Sequence, residues 1–100
     1  MKLYIGADHA GFAQKEAIKA YLADKGFEVK DCGAYSDERT DYPLCAIAVC
    51  NEVAKDDESK GILICGTGVG MCMAANKIRG IRAANITSPE FATLCVEHNN

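Results

Sequence analysis

The run Gly61-Ile62-Leu63-Ile64-Cys65-Gly66-Thr67-Gly68-Val69-Gly70-Met71 leaves a chain few ways to fold. Ile62 to Ile64 is a short apolar run rich in β-branched residues, which reads as a buried parallel strand. A cysteine follows, then a loop with glycine at Gly66, Gly68 and Gly70. Met71-Cys72-Met73-Ala74-Ala75-Asn76-Lys77 then reads as the start of a helix, running to Ile78. Glycine admits positive φ and lets the backbone come close to a ligand. Strand, glycine loop and helix N-terminus together aim several backbone N–H groups at one point. That is an anion site with a thiol at its lip.

The rest of the chain repeats the same alternation. Lys2 to Ile5 is a strand closed by Gly6, and the loop Gly6-Ala7-Asp8-His9-Ala10-Gly11 leads into a helix over Phe12 to Lys25. Ala13, Ala17, Ile18, Tyr21 and Leu22 fall on one face of that helix at spacings of three and four, and Lys25-Gly26 stops it. Phe27 to Cys32 alternates apolar and polar, the mark of a strand with one wet face near an edge. Gly33 to Thr40 is a polar loop. Asp41 is placed to cap a helix with Pro43 in its first turn. That helix continues to Lys55 through Leu44 to Cys50, apolar all round, as a face turned to a second subunit would be. After Lys55 to Gly61, the Ile62–Cys65 strand and its helix, Gly80 to Asn85 reads as a fourth strand. Ser88 caps a last helix with Pro89 first and Glu90 in its first turn. Strand and helix alternating in this way predict a three-layer α/β fold. Its doubly wound, Rossmann-like parallel sheet of four strands lies between helices. Ligands bind such sheets beyond the carboxyl ends of the strands. The Asp8–His9, Gly33–Asp41 and Cys65 loops should meet there.

One hundred residues make one small domain. A net charge of −3 gives no support for nucleic-acid binding, while a local field can still draw an anionic substrate. None of the six cysteines forms a C-x-x-C pair, which argues against structural zinc or a redox dithiol. The chain enters a strand directly after Met1, with no leader pattern, and no apolar run reaches membrane-spanning length. The expectation is a cytoplasmic protein with reduced thiols, bound to neither membrane nor nucleic acid.

Each notable residue has two readings. Cys65 is a packing cysteine, or a thiol made acidic by clustered amides at a helix N-terminus, usable as a base near neutral pH. Cys32, Cys45, Cys50, Cys72 and Cys95 sit within elements and read as packing residues. The glycine loop lacks the Gly-Lys-Ser/Thr of a P-loop and the G-x-G-x-x-G spacing of a dinucleotide site. An oxyanion site, stabilising the enediolate formed by proton removal beside a carbonyl, fits it better. Asp8 and His9 either cap the first helix or bind a ligand. Tyr42 either packs at a helix start or lines a pocket. Thr67 is a loop residue or a sugar contact, and His98 alone reads as a solvated histidine.

Four motifs resemble the ribose-5-phosphate isomerase B family, which also includes galactose-6-phosphate isomerase subunits. They are Gly6-Ala7-Asp8-His9-Ala10-Gly11, Glu38-Arg39-Thr40-Asp41-Tyr42-Pro43, Ile64-Cys65-Gly66-Thr67-Gly68-Val69-Gly70 and His98-Asn99. The resemblance implies an α/β sandwich whose active sites lie between the subunits of a homodimer, or of a dimer of dimers. It implies interconversion of ribose 5-phosphate and ribulose 5-phosphate with no metal or cofactor. Cys65 would then move a proton between C1 and C2. Gly66, Thr67, Gly68, Val69 and Gly70 would hold the enediolate oxygen through backbone N–H groups, with the Thr67 hydroxyl at the sugar ring oxygen. Asp8 and His9 would bind the sugar, Tyr42 would line the pocket, His98 would assist ring opening and Asn99 would hold the substrate.

The family is longer than this chain. Its members carry a fifth strand and C-terminal helices beyond the His98-Asn99 motif, with arginines that grip the phosphate. Residues 1–100 therefore read as one sugar-phosphate isomerase domain lacking that part. Arg39, Lys77 and Arg82 are the basic residues near the motifs. An exposed edge and an uncovered apolar patch on the fourth strand are expected to follow. Two other functions stay open: an isomerase of galactose 6-phosphate or another hexose phosphate, and an inactive α/β module that binds a sugar phosphate.

Overall fold

The computed structural model describes residues 1–39 and 41–99. Thr40, within the Glu38–Pro43 motif, and Asn100 lie outside the described residues. The order of elements is β1 (Lys2–Ala7), a 3-10 turn (His9–Gly11), α1 (Phe12–Asp24), β2 (Glu28–Asp31), α2 (Tyr42–Ala54), β3 (Lys60–Ile64), α3 (Val69–Asn76) and α4 (Pro89–Asn99). The strands form one parallel sheet in the order β2-β1-β3. Helix α1 packs on β2 and β1, while α2 and α3 pack together and α2 covers β1 and β3. This is the expected doubly wound α/β fold.

Strand β1 is central, and its residues Leu3 to Ala7 are all buried. Its alternation sends Gly6 toward α2. A Cβ there would lie 2.7 Å from Val49 Cγ2, and one on Gly61 of β3 would lie 2.8 Å from Val49 Cγ1. Two glycines on neighbouring strands thus seat one valine and bring α2 close to the sheet. Strand β2 alternates exposed and half-buried residues at the sheet edge, as its pattern predicts.

Two expectations need correction. First, Gly80 to Asn85 is not a strand: residues 81–87 carry no regular structure. The Asn76 carboxamide occupies both backbone groups of Ala83, donating to its carbonyl at 2.9 Å and accepting from its amide at 3.0 Å. A side-chain amide has taken the place of a strand partner, and a groove of about 1080 Å³ lies between this segment and β3. Strand β3 is therefore a free edge as β2 is, and Ile62, Leu63 and Ile64 are half-buried rather than buried. Second, the buried residue of α1 is Lys15, 0% exposed, while Ala13, Ala17 and Tyr21 face solvent. The sheet-facing side of α1 is organised by an ion pair described below. Helix α2 buries Cys45, Ala46, Val49 and Cys50 and leaves Leu44 64% exposed, with Ile47 also exposed.

Caps follow the sequence in part. Ser88 Oγ accepts the Phe91 amide at 3.3 Å at the start of α4, the N-cap bond expected of serine. Asp41 sits at the cap of α2 without a side-chain cap bond. No helix among the described residues is long and apolar enough to cross a membrane.

Candidate active site

The three loops at the carboxyl ends of the strands meet. Register pairs Ala7 with Ile64, and the Asp8 amide donates to the Ile64 carbonyl at 3.2 Å. Asp8 and Cys65 therefore leave adjacent strand ends side by side. On the other flank the Ala7 amide donates to Gly33 O and the Ala34 amide to Ala7 O, each at 2.7 Å. The β2 loop is tied to the same edge.

Asp8 is buried, and its Oδ1 accepts the Gly11 amide at 3.0 Å, capping the 3-10 turn. The capping reading is thus observed, in a carboxylate that also stands beside the Cys65 loop. His9 follows on the exposed side of that turn.

Cys65 is half-buried, and its Sγ accepts the Gly68 amide at 3.2 Å. Gly68 has φ +81°, a left-handed conformation that turns its N–H back toward the sulfur at little cost for glycine. The Val69 amide donates to Thr67 Oγ1 at 3.2 Å. The loop ends at the N-terminus of α3, which begins at Val69, two residues earlier than its sequence pattern suggests. The sulfur thus takes a backbone amide from the residue that caps α3.

Cys65, Gly66, Thr67 and Gly68 line the groove beside β3, and so does Asn99 at the end of α4. Tyr42 lies instead at the start of α2, its ring 2.9 Å from where a Cβ on Gly70 would sit, so it packs on the first turn of α3. Val69 is exposed, and His98 is exposed on α4, where its neighbours Val96 and Asn99 line the groove and it does not. The described residues thus bring Cys65, Gly66, Thr67, Gly68 and Asn99 to one opening, with Asp8 at the adjoining strand end. His98 stands apart.

The sequence reading missed three contributors. Lys15 and Lys19 both donate to Asp31 Oδ2, Lys19 at 2.7 Å, and the Gly33 amide donates to Asp31 Oδ1 at 2.8 Å. Burial works against the Asp31 charge, but the two ammonium groups and the Gly33 amide outweigh it and hold the carboxyl below its ordinary range. The Asp31 and Glu16 bonds raise Lys19. This cluster anchors the Gly33 turn, and through it Ala7 and the Asp8 loop. Asn76 and Asn85 are the other two: Asn85 Nδ2 donates to Thr67 O at 3.3 Å. An apolar-periodicity argument passes over a lysine on an inner helix face, and nothing in local spacing marks either asparagine. Burial raises the Cys32, Cys45 and Cys50 thiols, the Asp8 charge adding to the effect at Cys45, which suits packing roles. Among the described residues no three of His, Cys, Asp and Glu gather as a metal ion would need.

The arrangement is fitted to move a proton beside a carbonyl. A sulfur supported by an amide faces an opening, with further amides of a glycine loop beside it.

Known proteins match the whole chain. The family model described as ribose/galactose isomerase matches residues 3–100. Ribose-5-phosphate isomerase B of Escherichia coli is 50% identical over 99 residues, covering 99% of this chain and 66% of that protein. A probable ribose-5-phosphate isomerase B of Mycoplasma genitalium is 46% identical, over 98% of this chain and 66% of its own length. Among solved structures, a ribose 5-phosphate isomerase from Thermotoga maritima superposes with TM-score 0.95 at 49% identity, over 99% of this chain and 68% of that one. The Mycoplasma genitalium enzyme with bound ribulose-5-phosphate superposes with TM-score 0.92 at 44% identity, over 99% of this chain and 66% of that one. The chain spans just under two thirds of the length of the curated relatives it matches. With a match along residues 3–100 and half its positions shared with a curated relative, the chain belongs to the ribose/galactose isomerase family.

Proposed function

We propose that the protein is an aldose–ketose isomerase interconverting ribose 5-phosphate and ribulose 5-phosphate, with residues 1–100 forming its sugar-phosphate isomerase domain. The observation that carries the reading is the Cys65 sulfur, which takes the Gly68 amide and opens to the groove beside the Asp8 loop. In the reaction the open-chain aldose lies with its C1–C2 unit against that sulfur. The Cys65 thiolate takes the proton from C2, the C2–H electron pair becomes the C1–C2 double bond, and the C1 carbonyl oxygen takes up negative charge. Amides of Gly66, Thr67, Gly68, Val69 and Gly70 stabilise that oxygen where the charge forms. The C2 hydroxyl proton then passes to the C1 oxygen, the pair left on the C2 oxygen forms the C2 carbonyl, and the C1–C2 double-bond pair takes the proton from the Cys65 thiol at C1, giving the ketose and restoring the thiolate. Asp8 and His9 hold the sugar hydroxyls, Tyr42 closes the side of the pocket and Asn99 holds the substrate. His98, exposed on α4, assists ring opening from across a subunit boundary.

A homodimer, or a dimer of dimers, is part of this reading. Helices α2 and α3 pack side by side and leave Tyr42, Leu44, Ile47, Val69 and Met73 exposed, apolar surface of the kind a second subunit would cover. Six free cysteines among the described residues suit a reducing compartment such as the cytoplasm.

The test is turnover of ribose 5-phosphate by the wild type and by Cys65→Ala. General-base removal is expected to lower turnover by about a thousandfold, while calorimetry shows sugar-phosphate binding retained. Normal turnover in the variant removes Cys65 from the role. Binding without turnover in the wild type identifies a sugar-phosphate-binding module instead. The family model covers galactose as well as ribose isomerases, so galactose 6-phosphate competes in the same assay. Sedimentation velocity on the same samples reads the dimer.

A further inference from the structure

We infer that Asn76 and Asn85 are positioning residues for the Cys65 thiol, acting through a strap that holds the glycine loop. The inference deepens the proposed function, since it rests on Cys65 as the reacting group.

The strap is the irregular segment over residues 81–87. With no ladder of its own, it begins at the Ile81 amide's bond to Ile78 O at 3.1 Å, and two side-chain attachments follow. One is Asn76, the last residue of α3. Its Nδ2 donates to Ala83 O and also to Cys72 O, each at 2.9 Å, and its Oδ1 accepts the Ala83 amide at 3.0 Å. Cys72 Sγ adds a weak bond to Ala83 O at 3.6 Å. This two-way amide pairing fixes the direction of the strap as well as its position.

The second attachment lies two residues on. Asn85 Nδ2 donates to Thr67 O at 3.3 Å. Asn85 Oδ1 sits so close over Gly68 that a Cβ there would lie 2.2 Å from it. The carboxamide therefore rests on the loop from one side, and the Gly68 amide points to Cys65 Sγ from the other.

The loop has little else to hold it in that shape. A Cβ added at Gly66 would meet nothing within 4 Å, Thr67 is exposed, and the Thr67–Val69 turn bond is local. A glycine loop without restraint samples many backbone states. An N–H stabilises a developing charge most when it is already aimed before the charge forms. Asn85 supplies that aim, and Asn76 holds Asn85 over the loop.

The experiment measures alkylation of Cys65 by iodoacetamide across pH, resolved from the other cysteines by peptide mass spectrometry. It is run on the wild type, Asn85→Ala, Asn76→Ala and a control, Asn51→Ala, at an exposed position of α2. In Asn85→Ala and Asn76→Ala the rate at neutral pH is expected to fall about fivefold and the pH–rate profile to move toward alkali, as thiolate support is lost. Asn51→Ala is expected to match the wild type. Melting followed by circular dichroism establishes that each variant is folded. Because alkylation needs no turnover, a failure of the isomerase reading leaves this result standing. A wild-type profile in either folded strap variant overturns the proposal, even if turnover is normal. Should one variant fail to fold, the other decides. Should both fail, Gly68 amide hydrogen exchange in the wild type decides: exchange as fast as at Gly66 overturns the strap, and slower exchange supports it.

Discussion

The two flanks of the central strand are built differently. On the β2 side, the strand end is closed by a charged cluster. Lys15 is wholly buried, Lys19 and Lys15 share one oxygen of Asp31, and the Gly33 amide takes the other. On the β3 side, the strand has one partner, its three apolar residues are half-buried, and a groove separates it from the 81–87 segment and α4. Helix α4 fully buries none of its residues. The closed flank fixes the Asp8 loop, and the open flank exposes the Cys65 sulfur. A small domain cannot both bury its reacting group and present it, and here the two demands fall on opposite sides of one strand.

Core truncations should test that difference most strongly. Ile5→Ala, at a fully buried position of β1, is expected to cost about 3–4 kcal/mol in urea unfolding. Ile62→Ala, its register partner on the half-buried strand, should cost about 1 kcal/mol. Equal losses would show that the groove is closed in solution. Lys15→Met comes next. Removing the buried partner of a carboxylate is expected to cost about 2–3 kcal/mol, at the low end because Lys19 stays on the same oxygen. A neutral result would mean that packing, not charge, closes this flank.

The smallest effect is a pH dependence. Because the folded Asp31 carboxyl lies below its ordinary range, its contribution to stability is complete above the unfolded carboxylate pKa. That contribution is lost as the pH falls through the depressed folded value. Denaturation midpoints should therefore drop on acidification in the wild type and drop less in Asp31→Asn. Parallel acid limbs would remove Asp31 from the account.

The sequence carried the closed flank's strands, the Cys65 loop and the Ser88 cap, because each is written in local chemistry: β-branched runs, glycine spacing, a hydroxyl before Pro89. Strand β2 was legible as an edge from its alternation alone. What was not legible depends on side chains meeting across the fold. Lys15 looks like one of the solvated lysines of α1 until Asp31 arrives from β2. The 81–85 run has strand composition, but strand propensity concerns a surface to pack on, and the Asn76 amide claims its backbone. Tyr42 was placed at the pocket by resemblance, and it is found packed on Gly70.

The seat that Gly6 and Gly61 make for Val49 has a bearing well beyond packing density. A helix laid on a smooth sheet can slide or roll by small amounts, but one keyed into a notch shared by two strands has a fixed azimuth. The notch lies in the body of α2, and the helix's first residue, Tyr42, is the one against α3. A bulkier residue in either half of the notch would therefore act at a distance, tilting the tyrosine off the α3 turn. The mechanical reference point for Tyr42 lies inside the sheet, in the backbones of β1 and β3.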